Sequence, residues 1–184
     1  MDITGELVRL RAFRPDDAPA IAEALADPRV VAYLAQWAHG PYTLEQARAW
    51  TTEPATPGAL NFAIESIADG AFVGSTGFHD IDHHNRHCGW GIWIGPPHHW
   101  GKGYGTEACV LSVEYAFRFL AMEKVHLYVY AGNDRARRSY EKAGFVSEGI
   151  RRRHYWRDGA LTDVELMAVF RDHPLYSERI APIA

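Results

Sequence analysis

Cysteine is scarce in this chain. Only two of its 184 residues are cysteines, Cys88 and Cys109, and they do not form a CxxC pair. The sequence therefore lacks the spacing that marks a zinc ribbon or a thiol-redox site. Both residues lie in segments that are predicted to be buried, where a cysteine behaves as a small apolar side chain. We predict that both are core thiols.

Long apolar runs are missing as well. The longest, residues 108–122, is interrupted by Glu114 and Arg118, so it is too short and too charged to span a bilayer. The first 13 residues contain no apolar run of the kind that marks a signal peptide. We therefore expect a cytoplasmic protein without a membrane partner.

Positive charge is not in excess either. The chain has 19 Lys and Arg against 23 Asp and Glu, a net charge of −4 at pH 7, which argues against a nucleic-acid partner. Apolar residues make up 47% of the chain, enough for one core without disulfides or metal. Repeats and low-complexity segments are absent. The length predicts a single domain, 1–184, with a C-terminal tail at 171–184.

The order of predicted elements is mixed. A strand, two helices, a meander of strands, a helix, a strand, a helix and a hairpin follow one another, which predicts an α+β sheet with helices on both faces. Asp69-Gly70 and Asp158-Gly159 are typical of hairpin turns. Residues 88–95 are predicted to be the third strand of the meander, where Gly89 and Gly91 indicate a bulge or a close backbone approach.

Helix signals flank these strands. Thr43 and Gln46 form a capping box for a short helix, and residues 51–58 are predicted to be a loop. A largely buried helix is predicted at 106–121, with Glu107 on its narrow solvent-facing stripe.

The stretch "HHWGKGYGTEA" (98–108) precedes that helix and contains Gly101, Gly103 and Gly105. The first N–H groups of a helix have no intrahelical partner and carry the positive end of its dipole. Glycines expose these groups, Lys102 adds positive charge, and Thr106 can cap the helix or offer its hydroxyl to a ligand. The stretch is neither a P-loop nor a GxGxxG fingerprint. Taken alone, it predicts a tight turn or an anion site equally well.

Three segments carry a family resemblance, and the first of them contains this stretch. "GIWIGPPHHWGKGYGTEA", "NDRARRSYEKAGF" and "GIRRRHYWRDGALTDVELMAVF" together resemble the GNAT superfamily of acyl-CoA-dependent N-acetyltransferases. More narrowly, they resemble its branch of ribosomal-protein alanine N-acetyltransferases. The resemblance implies a mostly antiparallel, splayed sheet with helices on both faces. It also implies acetyl-CoA as co-substrate, an amine acceptor, no metal, and a homodimer.

The resemblance assigns roles to residues of the coenzyme site. Backbone N–H groups would hold the pyrophosphate, and they belong to Gly101, Lys102, Gly103, Tyr104, Gly105 and Thr106. Strand residues around Trp93 and Ile94 would pair with the pantetheine arm. Asn133 would hydrogen-bond that arm or a water. Arg135 and Arg138 would either reach phosphates or form a solvated helix face.

The resemblance also implies a catalytic acid. Tyr140 occupies the position of the tyrosine that protonates the departing thiolate; the alternative is a core tyrosine packed on Ala136 and Ala143. A backbone N–H near Trp93 or Ile94 would stabilise the oxyanion.

The general base is less clearly indicated. Gly89 stands where many relatives have a glutamate, and Ala136 stands where the narrower branch often has a serine. His79, Asp80, His87 and Glu148 are the candidate replacements, and a water chain is another. The histidine-rich segment 79–87 offers residues that bind zinc, but it fits a solvated or acceptor-lining loop better.

The acceptor is not defined by the sequence. A protein N-terminus, a polyamine, an amino acid and an aminoglycoside all fit, with Trp37, Trp50 and Trp156 as candidate pocket walls. A non-catalytic acyl-CoA sensor and a metal-sensing protein are alternatives of other classes.

Overall fold

The computed structural model describes residues 2–35, 38, 40, 42–52, 58–177 and 179–180. Eight strands form one sheet in the order β1-β2-β3-β4-β5-β6-β8-β7. The strands are β1 Ile3–Thr4, β2 Val8–Arg11, β3 Leu60–Ser66, β4 Phe72–Asp82, β5 His87–Ile94, β6 Lys124–Tyr130, β7 Val146–Arg157 and β8 Ala160–Phe170. The helices are α1 Ala18–Ala26, α2 Pro28–Val31, α3 Leu44–Thr52, α4 Tyr104–Arg118, α5 Asp134–Lys142 and α6 Pro174–Ser177.

Antiparallel pairing dominates the sheet, with one exception. β5 and β6 run parallel and pair only through His87–Gly89 and Lys124–His126. Beyond these three pairs the two strands separate, although both continue as strands. The splayed, mostly antiparallel sheet predicted from the family resemblance is therefore confirmed.

The helices pack on both faces of this sheet, as predicted. One cluster of buried side chains joins α4, α5 and α6 to alternate strand residues such as Ile64, Trp90 and Leu127. A smaller cluster joins α1, α2 and α3 to residues of opposite orientation, such as Ala63 and Trp93. Successive residues of a strand point to opposite faces, so these clusters define an α4–α5 face and an α1–α3 face.

Local sequence signals account for many element ends. The capping box before α3 is confirmed, because Thr43 and Gln46 exchange hydrogen bonds of 2.8 and 3.2 Å. Both predicted hairpins form, around Gly70 and Gly159. The predicted loop 51–58 was wrong at its start, since α3 extends through Thr52; residues 53–57 lie outside the described part of the chain.

The prediction for α4 needs a correction at both ends. The helix spans Tyr104–Arg118 instead of 106–121, and its N-cap is Gly103 in a left-handed conformation. Thr106 is therefore not the cap. Glu107 does not point to solvent: its carboxylate accepts the N–H groups of residues 6, 7 and 8 at 2.7–2.8 Å. This carboxylate ties the turn between β1 and β2 to the start of α4.

The described part of the predicted tail is anchored to the domain. Within α6, Tyr176 is fully buried, and its hydroxyl donates to the carbonyl of Ala143 at 2.7 Å. Residues 181–184 lie outside the described residues. None of the helices described is long and apolar enough to cross a membrane. Both cysteines are buried and unpaired, as predicted, and burial raises their thiol pKa values.

Candidate active site

A cleft of about 700 Å³ opens where β5 and β6 separate. It is lined by residues of β4, β5 and β6, by the glycine-rich segment before α4, and by one side of α5. Eleven of the twelve predicted site residues line it: Trp93, Ile94, Gly101, Gly103, Tyr104, Gly105, Thr106, Asn133, Arg135, Arg138 and Tyr140. Lys102 is exposed and is not part of the lining.

The separation leaves backbone groups of β5 facing the cleft. The N–H of Gly95 donates to the carbonyl of Val73 on β4 at 3.1 Å. Along an antiparallel strand, the backbone N–H and C=O groups of successive residues point to opposite sides within the sheet. The backbone groups of Trp93 therefore also face β4, whereas those of Ile92 and Ile94 face the opening. The carbonyl of Ile94 accepts the indole N–H of Trp100 at 2.6 Å, which agrees with this assignment.

The glycine-rich segment exposes its backbone at one end of the cleft. Gly101 and Gly103 have φ angles of +76° and +87°, a region that other residues adopt only with strain. No described residue accepts a hydrogen bond from the N–H groups of residues 101–105. The N–H of Thr106, by contrast, donates to the carbonyl of Gly103 at 3.1 Å. The start of α4 is thus a concave array of N–H donors.

Helix α5 forms the adjacent wall. Asn133 caps it, with its side-chain oxygen 3.4 Å from the N–H of Ala136. The hydroxyls of Thr106 and Ser139 lie 2.7 Å apart and join α5 to α4. The Arg135 guanidinium lies over the Trp100 ring, 3.6 Å from its centroid.

Cationic side chains accumulate on this wall. Arg135, Arg138 and Lys142 all line the cleft beside the glycine-rich segment, so positive charge and N–H donors converge at one end of it.

Tyr140 lies deeper in the same wall. Its ring packs edge-on against Trp90 at 5.8 Å and near Phe145 at 6.1 Å. Burial raises the pKa of its phenol, and the nearby Cys109 adds to the effect. Tyr140 therefore keeps its proton at neutral pH, as an acid must. It is both a core tyrosine and part of the cleft lining.

The α1–α3 face supplies the other side of the cleft. Gly77, Gly89 and Gly91 lie side by side on β4 and β5, with Gly77 paired to Gly91. The space above Gly89 is filled by the His79 ring, and that above Gly77 by the Asn61 amide. The predicted close backbone approach is not what the structure shows, because the close neighbour of Gly89 is the His79 side chain and a Cβ at Gly91 would meet nothing within 4 Å.

Of the four candidate bases, only His79 lines the cleft. His87 and Glu148 line a separate cavity of about 180 Å³, whereas His79 lines the main cleft with Asp80 as its neighbour. Among the described residues, no three His, Cys, Asp or Glu side chains are placed to hold a metal ion.

Aromatic residues surround the outer part of the cleft on the α1–α3 face. These are Tyr33, Trp50, Tyr128 and Tyr130. Trp156 is 64% exposed and is not part of the lining, and Trp37 lies outside the described residues. Arg29 is the cation at this end, and it is paired with Asp27 at 2.7 Å. The described lining residues include no Asp or Glu.

A splayed strand pair beside an N–H array at a helix start defines a class of protein. Unpaired strand groups can hold an extended amide-bearing arm, and the helix start can hold its phosphates. These are the features of an acyltransferase that uses an acyl thioester of coenzyme A.

The comparisons with known proteins identify the family. Residues 8–146 match the Acetyltransferase (GNAT) domain family, and the chain belongs to it. It is 32% identical over 161 residues to the uncharacterized N-acetyltransferase YokL of Bacillus subtilis, covering 87% of this chain and 88% of YokL. The chain is thus an acetyl-CoA-dependent N-acetyltransferase.

One further relative and one solved structure are also similar to this chain. The spermidine N(1)-acetyltransferase of Escherichia coli is 27% identical over 177 residues, covering 95% of this chain and 91% of that enzyme. A crystal structure of a GNAT-family acetyltransferase from Bacillus anthracis superimposes with a TM-score of 0.81 at 25% identity, covering 94% of this chain and all of the other.

Proposed function

We propose that this protein transfers an acetyl group from acetyl-CoA to a primary amine on an uncharged or anionic molecule, such as a protein N-terminus, by direct attack. The observation that carries acetyl transfer is the unpaired end of β5, which shares one cleft with the N–H array before α4. The observation that carries the acceptor class is the composition of the lining on the α1–α3 face.

The α4–α5 face would hold the coenzyme. N–H groups of residues 101–105 would bind the pyrophosphate at the positive end of α4, with Thr106 contributing through its hydroxyl. Arg135 and Arg138 would add charge-assisted contacts. Ile94 and its neighbour Ile92 would pair with the pantetheine amides, and the Asn133 side chain would contact the same arm.

Three groups would then act on the thioester. A strand N–H facing the opening, that of Ile92 or Ile94, would stabilise the developing oxyanion. Tyr140 would donate its proton to the departing sulfur. Close placement of amine and thioester in one cleft would supply much of the remaining rate enhancement.

The lining supports an acceptor without multiple positive charges. A polyamine carries several ammonium groups, and a site for one gains affinity from opposing carboxylates. The described lining offers none, and its outer end carries Arg29. A peptide α-amine also has a pKa of about 7.7–8.0 against about 10.4 for an alkyl amine, so more of it is neutral and nucleophilic at neutral pH.

A polyamine acceptor is the second candidate, because a relative of similar length is named a spermidine acetyltransferase. Thiol release from acetyl-CoA with a set of amines separates the two. We expect kcat/KM for a short peptide with a free N-terminal alanine to exceed that for spermidine by at least about tenfold. A preference for spermidine would overturn the acceptor class. Tight acetyl-CoA binding without thiol release for any amine would instead indicate a sensor.

A further inference from the structure

The histidine-rich segment has a member whose position is unusual. His79 on β4 is the cross-strand partner of Gly89 on β5. A Cβ atom at residue 89 would lie 2.2 Å from Cε1 of the His79 ring and 2.5 Å from Nδ1. The imidazole can therefore lie across β5 only because residue 89 is glycine. The side chain missing from β5 is replaced by one that reaches over from β4.

Asp80 fixes the orientation of that ring. Its Oδ2 atom lies 2.9 Å from Nδ1 of His79, and this hydrogen bond holds the pKa of the Asp80 carboxyl below its ordinary value. A carboxylate can only accept, so in the neutral ring Nδ1 carries the proton and Nε2 has a free lone pair. Asp80 adopts a φ angle of +48°, a conformation that costs energy in a residue other than glycine.

His79 and the catalytic acid approach the cleft from opposite faces. On β4, every second residue points to the same face, so His79 shares a face with Gly77 and Ser75. Ser75 is paired with Trp93 of the α1–α3 cluster, and His79 therefore lies on the α1–α3 face. Tyr140 belongs to the α4–α5 cluster. Both His79 and Tyr140 line the same cleft. An acetyl group at the splay would thus have a proton acceptor on one side and a proton donor on the other.

We propose that Nε2 of His79 takes the proton of the attacking amine, with Asp80 as the positioning residue. This proposal rests on the acetyl transfer proposed above. As the nitrogen of a neutral amine bonds to the thioester carbon and the carbon–sulfur bond breaks, one proton passes from nitrogen to Nε2. Tyr140 gives one proton to the sulfur. The imidazolium then releases a proton to water and the Tyr140 phenolate takes one up, so amine and thioester yield amide and thiol with no net change in protons.

Four other titratable groups lie near this position without lining the main cleft: His87, Lys124, His126 and Glu148. Tyr128 of β6, whose ring centroid lies 6.4 Å from that of His126, does line it. His126 on β6 lies on the same face and interacts electrostatically with His79 and Asp80. His87 on β5, with its ring centroid 5.5 Å from that of His126, lines the smaller cavity with Lys124 and Glu148. Among the described histidines of this group, only His79 lines the main cleft.

Steady-state kinetics of His79→Gln test the proposal, with His87→Gln as the matched control. We expect kcat of His79→Gln to fall about 100-fold, as for loss of a positioned base, with its acetyl-CoA Kd and melting temperature within the range of the control. The acidic limb of the wild-type kcat profile should change in His79→Gln, which keeps only the part that comes from protonation of the acceptor amine. Asp80→Asn should lower kcat about tenfold, less than loss of the base, and shift the limb.

Gly89→Ala provides a second test that keeps every atom of the base. The new methyl would displace the imidazole from β5, so kcat should fall, and adding Gly89→Ala to His79→Gln should cause little further loss. Wild-type turnover with a kcat for His79→Gln within twofold of wild type across the pH range would overturn the base assignment while leaving acetyl transfer intact. Absence of turnover in the wild type would instead overturn the proposed function and, with it, this assignment.

Discussion

The two faces of the sheet meet at one cleft but are built in different ways. On the α4–α5 face, the candidate coenzyme site consists largely of backbone groups and comes from the end of β5 and two short segments, 98–108 and 133–145. On the α1–α3 face, the lining residues come from five separate elements, α2, α3, β3, β4 and β6. The first surface depends on local conformation, whereas the second depends on how distant elements pack.

That difference predicts where single substitutions act most strongly. Removing the Tyr140 hydroxyl should have the largest effect on kcat, because Tyr140 is the one side chain of the α4–α5 face that is proposed to take part in the reaction. We expect Tyr140→Phe to lower kcat about 100-fold and to change the acetyl-CoA Kd little. Since burial raises the phenol pKa, the acid stays protonated below pH about 10, and wild-type kcat should show no alkaline loss from Tyr140 there.

Rapid thiol-release assays with equilibrium binding of acetyl-CoA separate these effects. A kcat for Tyr140→Phe equal to that of the wild type would remove this residue from the mechanism and leave it as a core tyrosine. The α4–α5 face would then be a binding surface only.

A second prediction concerns the support beneath the N–H array. The Glu107 carboxylate accepts three backbone N–H groups from the turn between β1 and β2. Glu107→Gln keeps the shape of the side chain but removes its negative charge and one of its two hydrogen-bond acceptor oxygens. We therefore expect a loss of about 2 kcal/mol in the free energy of unfolding. Glu114→Gln on the same helix, which removes only surface ion pairs with Arg118 and Arg179, should cost less than about 0.5 kcal/mol.

Urea unfolding of the two variants measures this difference. Equal stability losses would mean that the Glu107 contacts contribute no more than a surface ion pair, and that the start of α4 is held by other contacts.

The contrast also explains how much the sequence could predict. The two hairpin turns and the glycine-rich segment follow from local signals in the chain, such as Asp-Gly dipeptides and glycines at positions that need a positive φ angle. The splay of β5 and β6 was predicted only from the family resemblance. Glu107 could not be placed in this way, because its partners lie about 100 residues away and helix periodicity alone assigned it to solvent. The helix start was misplaced for a related reason: the sequence favours Thr106 as a cap, but Gly103 adopts the left-handed conformation required there.

The base shows the same limit on the other face. The sequence offered four candidate residues and a water chain for removal of the proton. The pairing of His79 with Gly89, together with the separate cavity of His87 and Glu148, distinguishes them only in three dimensions.

Gly105→Ala, within the proposed coenzyme site, is expected to raise the stability of the protein and to weaken acetyl-CoA binding. Gly105 lies inside α4, and a Cβ there would meet Ile94 at an ordinary 3.5 Å. Alanine should therefore stabilise the protein by about 0.5–1 kcal/mol, whereas a methyl among the N–H donors should weaken acetyl-CoA binding about tenfold if phosphates lie against this turn. Calorimetric titration and thermal unfolding give both numbers; unchanged affinity with higher stability would indicate that the coenzyme lies elsewhere.

Substitution of Tyr33 is expected to have the smallest effect, and it tests whether the two faces act independently. Its hydroxyl donates to the carbonyl of Gly132, just before Asn133, at 2.8 Å, and so joins the turn after α2 to the start of α5. Tyr33→Phe removes one neutral hydrogen bond, worth about 1 kcal/mol, and should raise the acceptor KM up to about fivefold while leaving the acetyl-CoA KM unchanged. An equal rise in both KM values would mean that this bond supports the coenzyme wall as well, and that the two surfaces are not independent.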